Sequence, residues 1–248
     1  MAGRLQGKVA IVTGAGQGFG KGIAAKFVEE GARVVIADLS QKLGAAAAQE
    51  LKCEFALIDV TDKSQWETLL KKTIDSYGQL DIVVNNAGTT YRNKPTSEVT
   101  DADFDLCVNV NMRSIYYSTN VIVPYFQQRG RGGCFVNIAS TAAIRPRPGL
   151  TWYNASKAAV ITATKTLAVE YARDQIRFTC VCPVVGLGTG LTDLFLGKPE
   201  NEEAFVSTVP LGRAATPKDI GNTCAYLVSD EAAFITGNAI EVDGGRCV

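Results

Sequence analysis

The 248-residue sequence predicts an α/β fold, a doubly wound parallel sheet of about seven strands with helices on both faces. Two observations support this prediction. Short β-branched runs alternate with longer amphipathic segments, and the runs are apolar throughout, as in strands that are covered on both faces. No linker, repeat or change in composition divides the chain, so we expect residues 1–248 to form one domain.

The predicted elements alternate along the chain as right-handed crossovers require. The predicted strands comprise residues 9–13, 33–38, 55–58, 82–85, 134–138, 178–182 and 239–242. The helical segments between them include residues 20–30, 64–77 and 153–171. In such a sheet ligands bind at the carboxyl ends of the strands, so we expect functional residues directly after each strand.

Composition excludes several classes of function. Lys plus Arg and Asp plus Glu number 25 each, so the net charge of zero indicates neither nucleic acid nor an acidic membrane as a partner. No segment approaches the roughly 18 apolar residues that cross a bilayer. The seven cysteines form no C-x-x-C pair, which favours structural thiols and a cytoplasmic location over a disulfide or zinc framework. Because histidine is absent, Ser-His-Asp and Cys-His catalysis are excluded, and we expect no metal.

A glycine-rich turn follows the first strand and opens into a helix. Gly14, Gly18 and Gly20 have the spacing G-x-x-x-G-x-G, with Gln17 and Phe19 beside them. Such glycines let the backbone approach a pyrophosphate, and the helix N-terminus offers free N–H groups. The turn predicts a Rossmann-type dinucleotide site, with a merely tight turn as the alternative.

Asp38 ends the second strand and is followed by Leu39. A carboxylate at this position accepts hydrogen bonds from both adenosine ribose hydroxyls and repels a 2′-phosphate. Residue 17 is Gln rather than Arg or Lys, so the glycine turn offers that phosphate no basic partner. The pattern predicts NAD rather than NADP as the cofactor, unless Asp38 is only a solvated strand end.

Polar and small residues also follow the next two strands. Asp59 and Val60 come after the third strand, where a carboxylate would meet the adenine amino group. Asn86, Ala87 and Gly88 come after the fourth. The small residues would let the backbone pass close to a flat ligand, and Asn86 is expected to pin neighbouring strands by side-chain hydrogen bonds.

The candidate catalytic groups follow the fifth strand. Ser140 ends it, and Tyr153 and Lys157 are four residues apart, so they share one face of a helix. A free phenol has a pKa near 10, and an adjacent ammonium and the positive nicotinamide ring of NAD would both lower it. Lys157 would also donate to the nicotinamide ribose, and Ser140 would hold the substrate oxygen near the phenol.

With these motifs in order, the sequence resembles the short-chain dehydrogenase/reductase family over nearly its whole length. The resemblance includes Asn-Asn-Ala-Gly at residues 85–88, Tyr-x-x-x-Lys at 153–157 and the closing segments at 235–237 and 242–245. It implies an NAD-dependent oxidoreductase in which Tyr153 exchanges a proton with the substrate while hydride passes to or from nicotinamide. The implied substrates are small secondary alcohols, polyols and sugars or the corresponding ketones, and the implied assembly is a homotetramer or homodimer.

The resemblance assigns four further residues. Asn111, in preference to Asn109, matches the asparagine that holds a water in a proton relay beyond Lys157. Pro183 matches a proline after the sixth strand, and Val185 would grip the nicotinamide carboxamide through its N–H. The family's Pro-Gly is replaced here by Pro-Val, and the expected threonine is displaced to Thr189, which leaves the carboxamide contacts open.

Substrate contacts are expected from the loops at residues 89–95, 141–152 and 186–201. Arg145 or Arg147 would bind a carboxylate or phosphate of the substrate, unless both face solvent. Trp152, Leu194 and Phe195 would form an apolar lid or pack in the core. Two other functions remain open: an NADP-linked 3-oxoacyl-(acyl carrier) reductase, disfavoured by Asp38 and the neutral charge, and a non-catalytic dinucleotide sensor, disfavoured by the intact Ser-Tyr-Lys set.

Overall fold

A computed structural model describes residues 3–187, 189–196 and 201–248 of the chain. Its centre is a seven-stranded, entirely parallel sheet with the order β3-β2-β1-β4-β5-β6-β7. The strands are β1 Val9–Thr13, β2 Arg33–Asp38, β3 Glu54–Leu57, β4 Ile82–Asn85, β5 Gly133–Ile138, β6 Ile176–Pro183 and β7 Ala239–Val242. The predicted fold class is confirmed.

Helices connect the strands and cover both faces of the sheet. They are α1 Gly18–Glu29, α2 Gln41–Leu51, α3 Lys63–Tyr77, α4 Asp101–Val108, α5 Ser114–Arg129, α6 Thr151–Glu170, α7 Thr192–Leu196, α8 Asn201–Val206 and α9 Pro217–Val228. Short 3₁₀ turns occupy Thr96–Glu98, Thr141–Ala143, Ala172–Asp174 and Asp230–Ala232. One π-helical turn, Asn109–Arg113, joins α4 to α5.

Alternate residues of the strands pack into two separate cores, as the two-residue period of a strand requires. On one face, Ala10 and Val12 of β1 pack with Ile23 and Phe27 of α1 and with Ile220 of α9. On the other face, Ile11 packs in a cluster with Trp66 of α3, Phe126 of α5, Phe135 and Phe178. The rings of Phe135 and Phe178 stack with their centroids 4.5 Å apart. Burial on both faces explains why the strands are apolar throughout.

Three predicted strands differ from the structure by one or two residues at one or both ends. The fifth begins at Gly133 rather than at residue 134. The third strand is Glu54–Leu57 rather than residues 55–58, because Glu54 already pairs with Val35. The sixth extends to Ile176 and Pro183, which pair with Gly133 and Val242. Pro183 is tolerated because it is the last residue of its strand, where a missing N–H costs little.

Chain order reverses between β1 and β4, at the middle of the sheet. In doubly wound sheets this switch point opens a crevice at the carboxyl ends of the strands. Within the described ranges, no helix is long and apolar enough to cross a membrane. The seven cysteines are free thiols, and the described residues contain no cluster of three His, Cys, Asp or Glu side chains that would hold a metal.

Candidate active site

Residues at the carboxyl ends of β1, β2, β4, β5 and β6, or directly after them, line one cleft of about 270 Å³ at the switch point. The cleft extends from the glycine turn and Asp38 to Tyr153, Lys157 and the C-terminal segment. The predicted site residues that line it are Gly14, Gln17, Gly18, Phe19, Gly20, Asp38, Asn86, Ala87, Gly88, Ser140, Tyr153, Lys157, Pro183, Val185 and Thr189. The structure therefore brings together most of the residues that the sequence singled out.

The glycine turn between β1 and α1 has the properties of an anion cradle. Gly14 and Gly18 adopt left-handed φ angles of 61° and 57°, which side chains disfavour. Gln17 is the N-cap of α1 but makes no side-chain bond to the first turn, which also contains no acidic residue. The N–H groups and the positive dipole end of α1 therefore remain available to a pyrophosphate, so this part of the chain fits a dinucleotide.

The Asp38 carboxylate is held at the rim of this turn. Its Oδ2 accepts a hydrogen bond of 2.8 Å from the N–H of Gly16, and its Oδ1 accepts one of 2.8 Å from the N–H of Ser40. Each carboxylate oxygen retains capacity for another donor. The two carboxylate oxygens of Asp38 can therefore accept hydrogen bonds from the two hydroxyl groups of a ribose.

Asn86 joins the fourth strand to the glycine turn, as predicted. Its Nδ2 donates to the carbonyl oxygens of Thr13, at 2.8 Å, and Gly14, at 3.1 Å. The N–H groups of Asn86 and Ala87 donate in turn to the Thr13 hydroxyl. These four bonds hold the ends of β1 and β4 together and shape the wall of the cleft.

Tyr153 lies in the first turn of α6, is 4% exposed and packs edge-on against Phe195, with ring centroids 5.0 Å apart. Burial raises the pKa of Tyr153, while the nearby Ser140 side chain acts in the opposite direction. In the chain itself, loss of water around the phenol therefore has the larger effect. The lowering that the sequence predicts also requires the positive nicotinamide ring, and it stays a prediction.

Lys157 lies one helical turn beyond Tyr153 and is also 4% exposed. Its Nζ lies 5.9 Å from the Tyr153 ring centroid and donates a 2.8 Å hydrogen bond to the carbonyl of Ile138. Burial lowers the pKa of Lys157 to about 8. A methyl group on Gly88 would lie 3.2 Å from this Nζ, so the glycine gives the ammonium its room.

Ser140 begins the 3₁₀ turn that follows β5. Its Oγ accepts a 3.1 Å hydrogen bond from the N–H of Ala142. Both Ser140 and Tyr153 line the cleft, and the serine side chain is close enough to oppose the rise in the pKa of the phenol. The two hydroxyl groups that the sequence assigned to the substrate oxygen therefore lie in one cleft.

Asn111 occupies the π-helical turn and is 1% exposed. Its Oδ1 accepts from the N–H of Thr89 at 2.9 Å, and its Nδ2 donates to the carbonyl of Thr89 at 3.0 Å and to Ser156 Oγ at 2.9 Å. Ser156 Oγ donates to the Tyr153 carbonyl at 2.7 Å. Asn109 caps α4, so Asn111 is the asparagine that is linked to Tyr153 through Ser156. Asn111 does not itself line the cleft, and its water-holding role stays a prediction.

The segment after β6 is shaped by threonine hydroxyls. Thr189 Oγ1 and Thr192 Oγ1 both donate to the carbonyl of Gly186, at 3.1 and 2.9 Å. Thr192, which the sequence did not single out, is buried and also accepts from the N–H of Thr189. Thr189 faces the glycine turn, since a methyl group on Gly18 would lie 3.5 Å from its Cβ. Gly188 and residues 197–200 of the predicted substrate loop lie outside the described residues.

Three predicted cofactor contacts are not among the residues that line the cleft: Leu39, Asp59 and Val60. Leu39 is 71% exposed at the start of the loop before α2. Asp59 Oδ1 accepts from the N–H and hydroxyl of Thr61, and Val60 is buried with its carbonyl accepting from Trp66. Sequence position identifies strand ends but not the direction of each side chain.

Phe205 and Arg246 line the cleft but lie outside every predicted motif and loop. Phe205 lies in α8 and Arg246 follows β7, whereas Leu150, another lining residue, belongs to the predicted loop 141–152. Arg145 and Arg147, predicted as substrate contacts, also line the cleft. No local motif marks the missed residues, because their common surroundings depend on where distant segments meet.

Known proteins resemble the chain over its whole length. A family model described as Enoyl-(Acyl carrier protein) reductase matches residues 14–246. The 4-formylbenzenesulfonate dehydrogenase of Comamonas testosteroni is 44% identical, over 98% of this chain and 98% of that protein. The 3-oxoacyl-[acyl-carrier-protein] reductase of Thermotoga maritima is 36% identical, over 99% of this chain and 100% of that protein.

A solved structure of a related protein has the same fold. The crystal structure of 3-ketoacyl-(acyl-carrier-protein) reductase from Brucella melitensis, complexed with NADH, superposes with a TM-score of 0.93 at 37% identity. The match covers 98% of this chain and 100% of that one. The site described above therefore lies in a fold that other chains use to bind a nicotinamide dinucleotide and to oxidise or reduce carbon–oxygen groups.

Proposed function

Since this chain belongs to the short-chain dehydrogenase/reductase family, we propose that the dinucleotide it prefers is NAD(H). Like its relatives, it is an oxidoreductase that acts on CH–OH groups or on the corresponding carbonyl groups. Its proposed substrates are small secondary alcohols, polyols or sugars, or the corresponding ketones. The observation that carries the proposal is the single cleft lined by Asp38 at one end and by Ser140, Tyr153 and Lys157 at the other.

The preference for NAD(H) rests on Asp38. Its two oxygens are anchored by the N–H groups of Gly16 and Ser40 at the rim of the glycine turn. In this position the carboxylate accepts from ribose hydroxyls and repels a 2′-phosphate. The side chain of Gln17 supplies no compensating charge. The NADH in the related structure from Brucella melitensis is consistent with this preference.

The remaining cleft residues would hold the rest of the dinucleotide. Residues 14–20 would cradle the pyrophosphate, Lys157 would donate to the nicotinamide ribose, and Pro183, Val185 and Thr189 would surround the carboxamide. When bound, the dinucleotide supplies or accepts hydride and, in its oxidised form, places a positive charge on the nicotinamide ring.

The proton chemistry belongs to the protein. Tyr153 takes the proton of the alcohol in oxidation and returns it to the carbonyl oxygen in reduction, and Ser140 holds that oxygen beside the phenol. Lys157 faces the phenol ring as a cation at 5.9 Å and favours the ionised form. Burial of both side chains excludes water, which strengthens this electrostatic effect.

Tyr153→Phe tests the proton step. We expect kcat to fall by about 10²–10⁴-fold, the usual contribution of a general acid–base, while NADH still binds. Initial rates and NADH fluorescence titration measure the two effects. Tyr226→Phe, an exposed tyrosine on α9, is the matched control. Near-normal turnover of Tyr153→Phe would exclude the proposed mechanism.

Asp38→Asn tests the cofactor preference. Asn retains one carboxamide oxygen as an acceptor but removes the negative charge, so the ratio of kcat/KM with NADH to that with NADPH should fall about tenfold or more. Asp105→Asn, an exposed position on α4, should leave the ratio unchanged. Equal kinetics with both cofactors in the unmutated enzyme would contradict the assignment.

A 3-oxoacyl-(acyl carrier) reductase is the second candidate, because two relatives of 36% and 37% identity carry that activity in their names. The name of the 44% identical relative makes an arylaldehyde a third class to test. The experiment is a panel of secondary alcohols, ketones, arylaldehydes and 3-oxoacyl thioesters with NADH and NADPH. NADPH-linked reduction of the thioesters alone would favour the second candidate over the first.

We also propose that residues 1–248 work as one domain in a cytoplasmic homotetramer or homodimer. Support comes from α5 and α6, whose outer face carries exposed apolar side chains including Tyr116, 61% exposed, and Val169, 81% exposed. Light scattering on the purified protein measures the assembly. A monomer at micromolar concentration would contradict the assembly proposal but not the chemistry.

A further inference from the structure

Two distant segments of the chain bring arginines to the same part of the cleft. Arg145 and Arg147 lie between β5 and α6, and Arg246 lies after β7. All three line the cleft that contains Tyr153. Arg246 is one of the residues that sequence patterns did not reveal.

The ring of Phe205 organises two of these arginines. Arg147 Cζ lies 4.7 Å from the ring centroid and Arg246 Cζ lies 5.3 Å from it. Phe205 itself is buried, so the guanidinium groups rest on an apolar support rather than in open solvent. We call the side chains of Arg147, Phe205 and Arg246 the arginine pocket.

Backbone contacts hold the arginine pocket in place. The Arg147 carbonyl accepts from Asn154 Nδ2 at 2.9 Å, which ties it to the residue after Tyr153. The Arg246 carbonyl accepts from Arg145 Nη1 at 2.6 Å. Asp243 accepts from the N–H groups of Gly245 and Cys247, at 2.9 and 2.7 Å, and so shapes the turn around Arg246.

Within the described ranges, no carboxylate pairs with the positive charge of the arginine pocket. Arg246 is only 9% exposed, and its Nη1 is buried with no hydrogen-bond partner. Among the described residues, no ion pair links any of the three arginines to Asp or Glu. The oxygens of Asp243, the acidic group closest in sequence, are directed to backbone N–H groups.

The positive charges of the three arginines also repel one another. Burial, followed by the charge of Arg246, lowers the pKa of Arg147. Burial, followed by the charge of Arg145, lowers the pKa of Arg246, against a smaller opposing effect of Cys247 and Asp243. Arg246 is buried and Arg147 is half-buried, whereas Arg145 is exposed. Like charges that are partly removed from water beside one another destabilise the fold, and an anion between Arg147 and Arg246 would offset that cost.

We propose that the arginine pocket binds an anionic oxyacid group of the substrate, a carboxylate, sulfonate or phosphate, while the reacting carbon lies at Tyr153. The planar donors of arginine match such groups in bidentate geometry. Leu150 and Phe195 line the cleft with Tyr153 and suit an apolar body between the two ends of the substrate. This inference rests on the proposed function, because it takes the Tyr153 cleft as the site of reaction.

Calorimetric binding to the NADH-saturated enzyme tests the proposal. The probes are benzoate, benzenesulfonate and phenyl phosphate, with benzamide and benzenesulfonamide as neutral counterparts. We expect at least one anion to bind about tenfold or more tightly than the neutral probes, and the ranking of the three anions to identify the preferred group. Equal affinity of anions and neutral probes, or no binding of any anion at millimolar concentration, would overturn the proposal.

Variants separate the arginine pocket from the catalytic groups. Arg246→Met and Arg147→Met should each raise the Kd of the anion about 30-fold and change that of the neutral probe less than about twofold. Arg246→Lys keeps the positive charge but loses the planar guanidinium group, so it should give a smaller increase in Kd. It replaces Arg246→Met as the test if the Met variant fails to fold. Arg173→Met, at an exposed position in the 3₁₀ turn after α6, is the control.

Two further measurements distinguish the possible failures. Tyr153→Phe should bind the anion normally while losing turnover, so a failure of the catalytic proposal leaves the binding result intact. The Kd of NADH should stay within about twofold in Arg246→Met. An equal loss of NADH and anion binding would show that the arginines serve the cofactor, and would overturn the inference.

Discussion

Lys157→Met should change how the stability of the protein depends on pH. Lys157 is 4% exposed, and burial lowers its pKa from 10.5 to about 8. Below pH 8 the ammonium is charged in both the folded and unfolded chain. Between about pH 8 and 10.5 the unfolded chain binds the additional proton, so the stability of the unmutated protein rises with pH in that window.

The magnitude follows from the two pKa values. At 1.36 kcal/mol for each pKa unit, the change from 10.5 to about 8 corresponds to about 3 kcal/mol in total. Between pH 7 and 10, the unmutated protein should gain about 2–3 kcal/mol of unfolding free energy relative to Lys157→Met. Groups that do not interact with Lys157 contribute equally in both proteins, so their contributions cancel in the difference.

Urea unfolding at pH 7, 8, 9 and 10 measures this difference. Tryptophan fluorescence is a suitable signal, because Trp66 is fully buried in the folded protein. Lys165→Met is the matched control: the side chain is exposed on the same helix and is solvated in both states. A difference between the unmutated protein and Lys157→Met that stays constant with pH, or falls as pH rises, would refute the assigned burial cost.

Two further predictions concern the packing around the lysine and the asparagine. Gly88→Ala would place a methyl group 3.2 Å from Lys157 Nζ and 3.4 Å from Asn111 Oδ1. We expect kcat to fall about tenfold while the global fold survives. Unchanged steady-state kinetics would contradict the tight fit of Gly88. Ser156→Ala removes the hydroxyl that connects Asn111 to the Tyr153 carbonyl and should cost about 1–3 kcal/mol of unfolding free energy, whereas Ser207→Ala, at an exposed serine, should cost less than about 0.5 kcal/mol.

Sequence patterns predicted the sheet well because burial on both faces imposes one chemical requirement on each strand. Val9–Thr13, Arg33–Asp38 and Ile82–Asn85 have the predicted bounds. The boundaries of the sixth strand depend instead on partners in β5 and β7, which a local run of residues does not contain. The first helix begins at Gly18 rather than residue 20, because helical geometry starts within the glycine turn itself.

The same distinction, between local patterns and contacts made by distant segments, separates the site residues that were predicted from those that were not. Residues at strand ends, such as Asp38 and Asn86, meet because parallel strands bring their carboxyl ends together. The direction of the Asp59 side chain depends on a local bond to Thr61. The surroundings of Arg246 depend on Phe205 and Arg145, far away in the sequence. The pKa of Tyr153 depends on how completely the folded chain removes water, which residue spacing does not report.

The π-helical turn at Asn109–Arg113 has a consequence for insertions and deletions in this chain. A π turn contains one residue more than the α-helical turn that it replaces. Loss of a single codon here would let α4 and α5 merge into one ordinary helix with its two ends still in register, because the π turn is what absorbs the extra residue. Asn111, which lies within the turn, would lose its alignment with Thr89 and Ser156. A deletion at this place would therefore disturb the position of Asn111 more than the packing of the helices on either side.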